Sequence, residues 1–486
     1  MRTVLPTIVF FGLLCESTFA ENSKKPKEDL LVRLSTELKV KDLLGIHRVI
    51  RQVKKDDKKH TQVSLMLIQR IRSNSDQDSQ IAADALIALG PGTTHDRILA
   101  AMLGHRLHLV KAVAVDWLRV KKSVPDAALP PLFQLWQDPR WESRLAALME
   151  IVVARKDAAL AIKELIPLIK ARDPLNRIRA ANVLGRFGKK ATSATAALTR
   201  ARDKEIPVVA SMAASALYRI TGELEKNQAI CRATMASKEP ANKYYGLVAL
   251  VGFKTANLAI FDEIAKVFTH KTRVMRQQAG VVVAQMGKKA IPKIVKLLKD
   301  ANPHVRASAA FAIGEMHDEG KSATKALMDA YKDDDVKVRA EVISALGGLR
   351  TAAKQAEPTL LKALQDADKE TRQTAGTAIW LVARRADLAA PILIGFAKDS
   401  KNPRSQREYF ISMLVDLAPH SKLIGPAMIQ MLDDANYGIR AAACVALRRI
   451  NKPNAKVIAA VKKKLTDKMV DVQREAARTI LAFEPP

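Results

Sequence analysis

Apolar residues recur at helical spacing along nearly the whole chain, and short polar breaks interrupt them at regular intervals. Residues 290–319 illustrate the unit. Ile291, Ile294, Val295 and Leu298 fall on one helical face, with Lys293, Lys296 and Lys299 opposite them. Asp300-Ala301-Asn302-Pro303 breaks this helix, because proline lacks the backbone donor and Asp can cap the next helix. A second helix, Val305 to about Met316, is built from Ala, Ser, Phe and Ile. Its small residues let neighbouring helices approach closely. The pattern predicts a helix, a tight turn and a second helix, with no alternating strand signal.

One short phrase opens each second helix with a basic residue: Lys111, Arg144, Arg177, Lys243, Arg276, Arg306, Arg339, Arg372, Arg407, Arg440 and Arg474. Ala82 and Ala210 occupy the same slot, which gives thirteen slots at a period of about 33 residues. Self-similarity at this period marks a solenoid, in which each unit buries its apolar face against its neighbours. The expected architecture is all-α: a right-handed α-solenoid of about thirteen helix-turn-helix repeats over residues 74–486. Residues 29–73, with Leu30, Leu31, Leu34 and Leu38, read as a diverged N-terminal helical cap. No linker or composition shift divides the repeats. Layers about 10 Å thick predict a curved rod roughly 130 Å long.

The second-helix phrase runs Asp, then Val-Arg-Ala, then Ala-x-x-Ala-Leu-Gly. It is clearest from Asp300 to Gly314 and from Asp333 to Gly347. It resembles the HEAT-like repeats of the phycobilisome-lyase type, whereas the ankyrin and tetratricopeptide signatures are absent. The resemblance implies an internal ladder, each Arg reaching the Asp or turn carbonyls of an adjoining repeat. Its members would be Asp138 and Arg144, Asp300 and Arg306, Asp333 and Arg339, Asp366 and Arg372, and Asp434 and Arg440. Arginine suits the role because its planar fork satisfies several acceptors at once. These arginines are therefore read as scaffold. Lyase activity is suggested only by the name of the repeat.

The first twenty residues read as an export signal: a basic start, an apolar run from Val4 to Cys15 and a small-residue exit at Thr18-Phe19-Ala20. The run is short for a bilayer span, and Cys15 lacks the small residues that precede a lipid-modified cysteine. The alternative is a hydrophobic start helix of the cap. Residues 21–28 are polar and Lys-rich, a flexible basic N-terminus. Cleavage after Ala20 would leave Cys231 and Cys444, too far apart in a linear stack to pair, so packing rather than disulfides carries stability. The chain has no Asn-x-Ser/Thr acceptor, which fits bacterial export to the periplasm or medium. No later segment is long and apolar enough for a membrane.

Net charge changes the picture. It is +30, from 80 Lys and Arg against 50 Asp and Glu, and it is spread evenly along the repeats. Beyond the ladder, Lys189-Lys190 and Lys288-Lys289 each come just after a glycine in the same turn, and Arg384-Arg385 stands at the matching offset. With Lys293 and Lys296 they form a candidate basic edge for an anionic partner: polysaccharide, lipid headgroups, acidic protein or nucleic acid. Any single doublet reads equally as a hydrated surface.

Localised chemistry is weakly marked. His105 and His108 have metal-compatible spacing but fall at a predicted turn without a cysteine partner. Ser322-x-x-Lys325 is a short pattern that repetitive helices produce by chance, and Asp333-Asp334-Asp335 lacks the Gly and distal Glu of a calcium loop. No phosphate loop, haem-attachment pair or His-Glu-x-x-His occurs, so no catalytic, cofactor or metal residue is assigned. Asp116, Trp117, Trp136, Asp138, Arg140 and Trp141 gather in adjoining repeats. Trp141-Glu142-Ser143-Arg144 resembles the helix start of bacterial alkyl-purine DNA glycosylases, which are basic HEAT-like solenoids. That likeness implies tryptophans holding a nucleotide. The preferred reading is an exported, non-enzymatic scaffold that binds a protein or anionic polymer along its curved surface, with nucleic acid less favoured. The alternatives are a glycosylase-like DNA-binding solenoid and an envelope-associated structural rod.

Overall fold

A computed structural model describes residues 30–54, 57–71, 76–90, 96–138, 140, 142–450 and 454–484. The export-signal reading and the basic segment 21–28 lie outside these residues. Among the described residues every regular element is helical: 28 α-helices joined by turns and short 3-10 segments. None is long and apolar enough to cross a membrane.

The worked unit shows why the chain folds this way locally. The first helix, Ile291–Leu297, buries Ile291 and Ile294. The second, Pro303–Glu315, starts with Pro at its first position, where the missing N–H costs nothing. The cap is Asn302 rather than Asp300: the Asn302 side chain accepts from the His304 N–H at 2.9 Å. Asp300 instead accepts from the Asn302 N–H at 2.8 Å and shapes the turn. In the next repeat Asp335 caps Val336–Gly348, accepting from the Lys337 and Val338 N–H groups.

Second helices pack directly on second helices. A Cβ built on Gly314 would lie 2.8 Å from the Ala345 Cα, and one on Gly185 would lie 2.7 Å from the Ala216 Cα. Only glycine permits such an approach. Both contacts join residues at the same height in consecutive helices, so the second helices run parallel. Turns from each second helix to the next first helix therefore share one edge of the array.

The second helices form the inner, concave layer. Arg273, on Arg273–Ala284, reaches across the intervening helix to Glu341 on Val336–Gly348, 3.2 Å away. A single side chain can span two repeats only where the curve brings them together. First helices contact one another less and form the outer layer.

The N-terminal helices do not stand apart from the pairing seen elsewhere. Helices α1 (Leu30–Val40) and α2 (Leu43–Val53) are themselves a pair, and α3 (Asp57–Arg70) pairs with α4 (Asp76–Leu89) as part of the first repeat. Nor is the array an open rod. The last helix, Val470–Phe483, packs on α2, so the curved stack closes on itself. Arg48 of α2 pairs with Glu484, Arg51 donates to the Leu481 carbonyl, and Arg474 pairs with Asp84 of α4 at 2.9 Å. Cys231 and Cys444 are buried and unpaired, and burial pushes the Cys444 thiol up to about 12.

Candidate binding edge

The arginine ladder uses two kinds of acceptor. Arg306 donates to the Asp300 and Ala301 carbonyls of its own turn, and to the Asp333 carboxylate 27 residues on, at 2.6 and 2.8 Å. Arg339 repeats this with the Asp333 and Asp334 carbonyls and the Asp366 carboxylate, and Arg440 with the Asp434 and Ala435 carbonyls and Asp467. Hydrogen bonds from Arg339 hold the Asp366 carboxyl down to about 2. Asp434 accepts from Arg407 of the preceding repeat.

The ladder has gaps. Arg372 keeps its two carbonyls, but Asp399 in the next turn pairs with Lys369. Asp138 is taken by Arg140 at 2.6 Å, and the side chain of Arg144 lies outside the described residues. Pro303 stands 27 residues after Arg276, which among the described residues bonds the His270 and Lys271 carbonyls and no carboxylate.

Basic residues outside the ladder fall in two places. Lys189, Lys190, Lys288 and Lys289 are exposed where a second helix hands over to the next first helix, and so share the edge defined by parallel packing. Arg384 occupies the corresponding turn with left-handed φ of 57°, its guanidinium 5.0 Å from the Trp380 ring centre. Arg385 beside it is committed to Glu357 and Asp387, at 2.9 and 2.8 Å. Lys293 and Lys296 lie instead on the outer flank of a first helix, with Lys293 over the Phe261 ring and 3.5 Å from Asp262.

The same edge carries residues that the linear pattern did not single out. Lys121, Lys122, Arg155 and Lys156 occupy the equivalent turns of earlier repeats around an open cavity of about 660 Å³. Lys121 is 3.0 Å from Asp96, Arg155 pairs with Asp126, and Lys190 donates to the Arg155 carbonyl at 3.0 Å. Their signal was the shared offset within the repeat, since these doublets lack a preceding glycine.

The concave face offers a different chemistry. Arg273, Arg276, His304, Glu341, Ser344, Glu370 and Thr374 line a cavity of about 210 Å³. Burial pushes the Glu341 carboxyl upward, against the pull of Arg273. Each of these residues looks like an ordinary solvent-facing group when read along one helix.

A family model of HEAT repeats matches residues 129–218, 262–338 and 324–411, about half of the chain. The chain is a HEAT-repeat protein. Solved structures of similar helical arrays include the complex of CpcE and CpcF of phycocyanin lyase from Nostoc, at 16% identity over 49% of this chain and 93% of that one, with a TM-score of 0.33. The Kap95:Nup1 complex is 12% identical over 94% of this chain and 67% of that one, TM-score 0.45, and yeast importin-beta 13% over 94% and 65%, TM-score 0.42. No curated protein matches the sequence.

In this HEAT-repeat array Trp117 and Trp136 are structural. Trp117 is buried and donates its indole N–H to the Leu86 carbonyl at 3.1 Å, and Trp136 is buried against Phe133. Asp116 lies 3.6 Å from Arg119. Neither of these tryptophans offers a face for stacking a base, and Trp141 lies outside the described residues. His105 Nδ1 accepts from the Leu107 N–H, shaping its turn. Among the described residues no group of three or more potential ligands could hold a metal.

Proposed function

We propose that this HEAT-repeat protein is an exported, non-enzymatic scaffold whose basic edge docks an anionic macromolecule. One observation carries the reading. Ladder arginines such as Arg306 and Arg339 spend their charge on internal carboxylates, whereas Lys189, Lys190, Lys288 and Lys289 stand exposed along a single edge. Charge repeated at a fixed interval suits a partner with repeated negative charge. Many modest contacts then add, and long-range attraction speeds encounter. Export rests on the N-terminal sequence pattern alone.

The test is retention of the purified chain on heparin and on anionic vesicles over a salt gradient, with Lys288→Glu combined with Lys289→Glu. The variant is expected to keep its helicity and melting temperature and to elute at clearly lower salt. Unchanged elution would remove the edge from the binding surface. Immunoblotting of periplasmic and cytoplasmic fractions tests export, which a purely cytoplasmic signal would exclude.

A further inference from the structure

Arg219 closes the second helix Pro207–Thr221 and is partly buried, yet no described residue accepts a hydrogen bond from its guanidinium or pairs with it. Arg306 and Arg339 spend the same group on carboxylates and carbonyls, whereas the Arg219 nitrogens are left to solvent. The nearest charge is of the same sign. Burial first, and then Arg186 of the preceding helix, push the Arg219 pKa down. Arg186 is itself paired with Glu150.

The surroundings leave room for the unpaired group. Arg219 lies against Gly252, where a Cβ would stand 2.7 Å from its Nε and 3.0 Å from one terminal nitrogen. A side chain at 252 would displace the guanidinium. Two residues on, Lys254 holds φ 46° and ψ −124°, a strained conformation for a residue with a side chain. Strain of this kind persists where surrounding structure imposes it, and it concentrates at functional sites. Lys254 is exposed at this turn. On the other side, the Gly188 Cβ position is 3.7 Å from the Arg219 carbonyl, which brings exposed Lys189 to the same helix end.

We infer that Arg219, with Arg186, Lys189 and Lys254 around it, is a binding site for a tetrahedral oxyanion, phosphate or sulfate. A planar carboxylate is matched by one arginine fork. Cations carried on three successive repeats beside one helix end suit a group with oxygens pointing several ways. The inference rests on the basic-edge reading for its anionic partner, and adds to it one discrete, partly desolvated point of capture.

Thermal unfolding of the full chain, measured by circular dichroism, tests it. Millimolar phosphate, sulfate or acetate is compared with chloride at equal ionic strength, for the parent and for Arg219→Met. Phosphate and sulfate are expected to raise the parent melting temperature by about 1–2 °C and to leave the variant unmoved. In chloride the variant should melt no lower than the parent, because an unpaired, partly buried charge has been removed. A lower variant melting point in chloride, or an equal phosphate shift in both proteins, would overturn the site. Acetate matching phosphate would overturn the assignment to a tetrahedral group. Long-chain polyphosphate outperforming phosphate at equal phosphorus concentration assigns the source to a polymer, and equality assigns it to the free ion; both uphold the site. The Lys288→Glu, Lys289→Glu protein should retain the Arg219 response, so failure of the edge and failure of this site give different results.

Discussion

The contacts within the array combine close helix approaches at small residues with the arginine ladder, whereas the contact that closes it gathers charge around a buried histidine. Inside the array, Gly314 meets Ala345 and Gly347 meets Ala378, and the helices approach backbone to backbone in parallel. At the closure, α2 and the last helix run antiparallel, with Arg51 beside Leu481 and Arg48 beside Glu484. Charged groups crowd that junction. His47 is buried there near Arg448, Arg474 and Arg478, Asp84 is buried under Arg474, and the Arg474 Nε has no hydrogen-bond partner. Small apolar surfaces bury at little desolvation cost, whereas desolvation cancels most of what a buried ion pair gains. The contrast predicts that the closing seam is weaker than the seams inside the array.

The contrast breaks first at its strongest point. Gly314→Val is expected to cost about 3 kcal/mol, because the new side chain must push the next helix away; chemical denaturation measures it. Arg306→Ala should cost about 2 kcal/mol, since two carbonyls and Asp333 lose their donor. An unchanged melting curve would show that the ladder adds nothing to stability.

Acid should act on the closure. Burial first, then Arg478, Lys54, Arg448 and Arg474, hold the His47 imidazole down to about 3, from an ordinary value near 6.5. Between those values an open seam binds a proton that the closed seam refuses. Closure therefore weakens as pH falls through that window, by about 2 kcal/mol at pH 5, and is unaffected above it. Glu484, held down by its bond from Arg48, adds to the loss at lower pH, while burial raises Asp84 and opposes it. Small-angle scattering should report expansion near pH 5 with helicity intact, and His47→Leu should flatten the response. The smallest effect is expected from Asp84→Asn, which keeps a hydrogen bond to Arg474 but loses the charge. Because burial already disfavours that charge, closure should change by less than about 1 kcal/mol, seen as a nearly unchanged distance between fluorophores placed on α2 and the last helix.

Much of this was legible before the structure. The helix pairs, the turn prolines and the recurring basic residue come from local pattern, because each repeat folds against a near-copy of itself. Asp366 is named by its position relative to Arg372, yet its partner is Arg339 of the preceding repeat. Sequence spacing locates the rung but not the direction in which it crosses the seam. The basic edge was partly legible: Lys189 and Lys288 share an offset, while Arg385 looked equivalent and is spent on Glu357 and Asp387. Arg219, which pairs with no described residue, gave no signal at all, since a missing partner cannot be seen along one chain.

Periodic apolar faces and regular breaks are enough to specify an all-helical HEAT-repeat array, because they encode contacts between immediate neighbours. Closure of the array, the meeting of Arg273 with Glu341 across a concave cavity and the want of an acceptor for Arg219 among the described residues emerge only in three dimensions. Those facts depend on curvature summed over many repeats. A small rotation at each seam, too slight to mark any residue, decides which distant side chains meet.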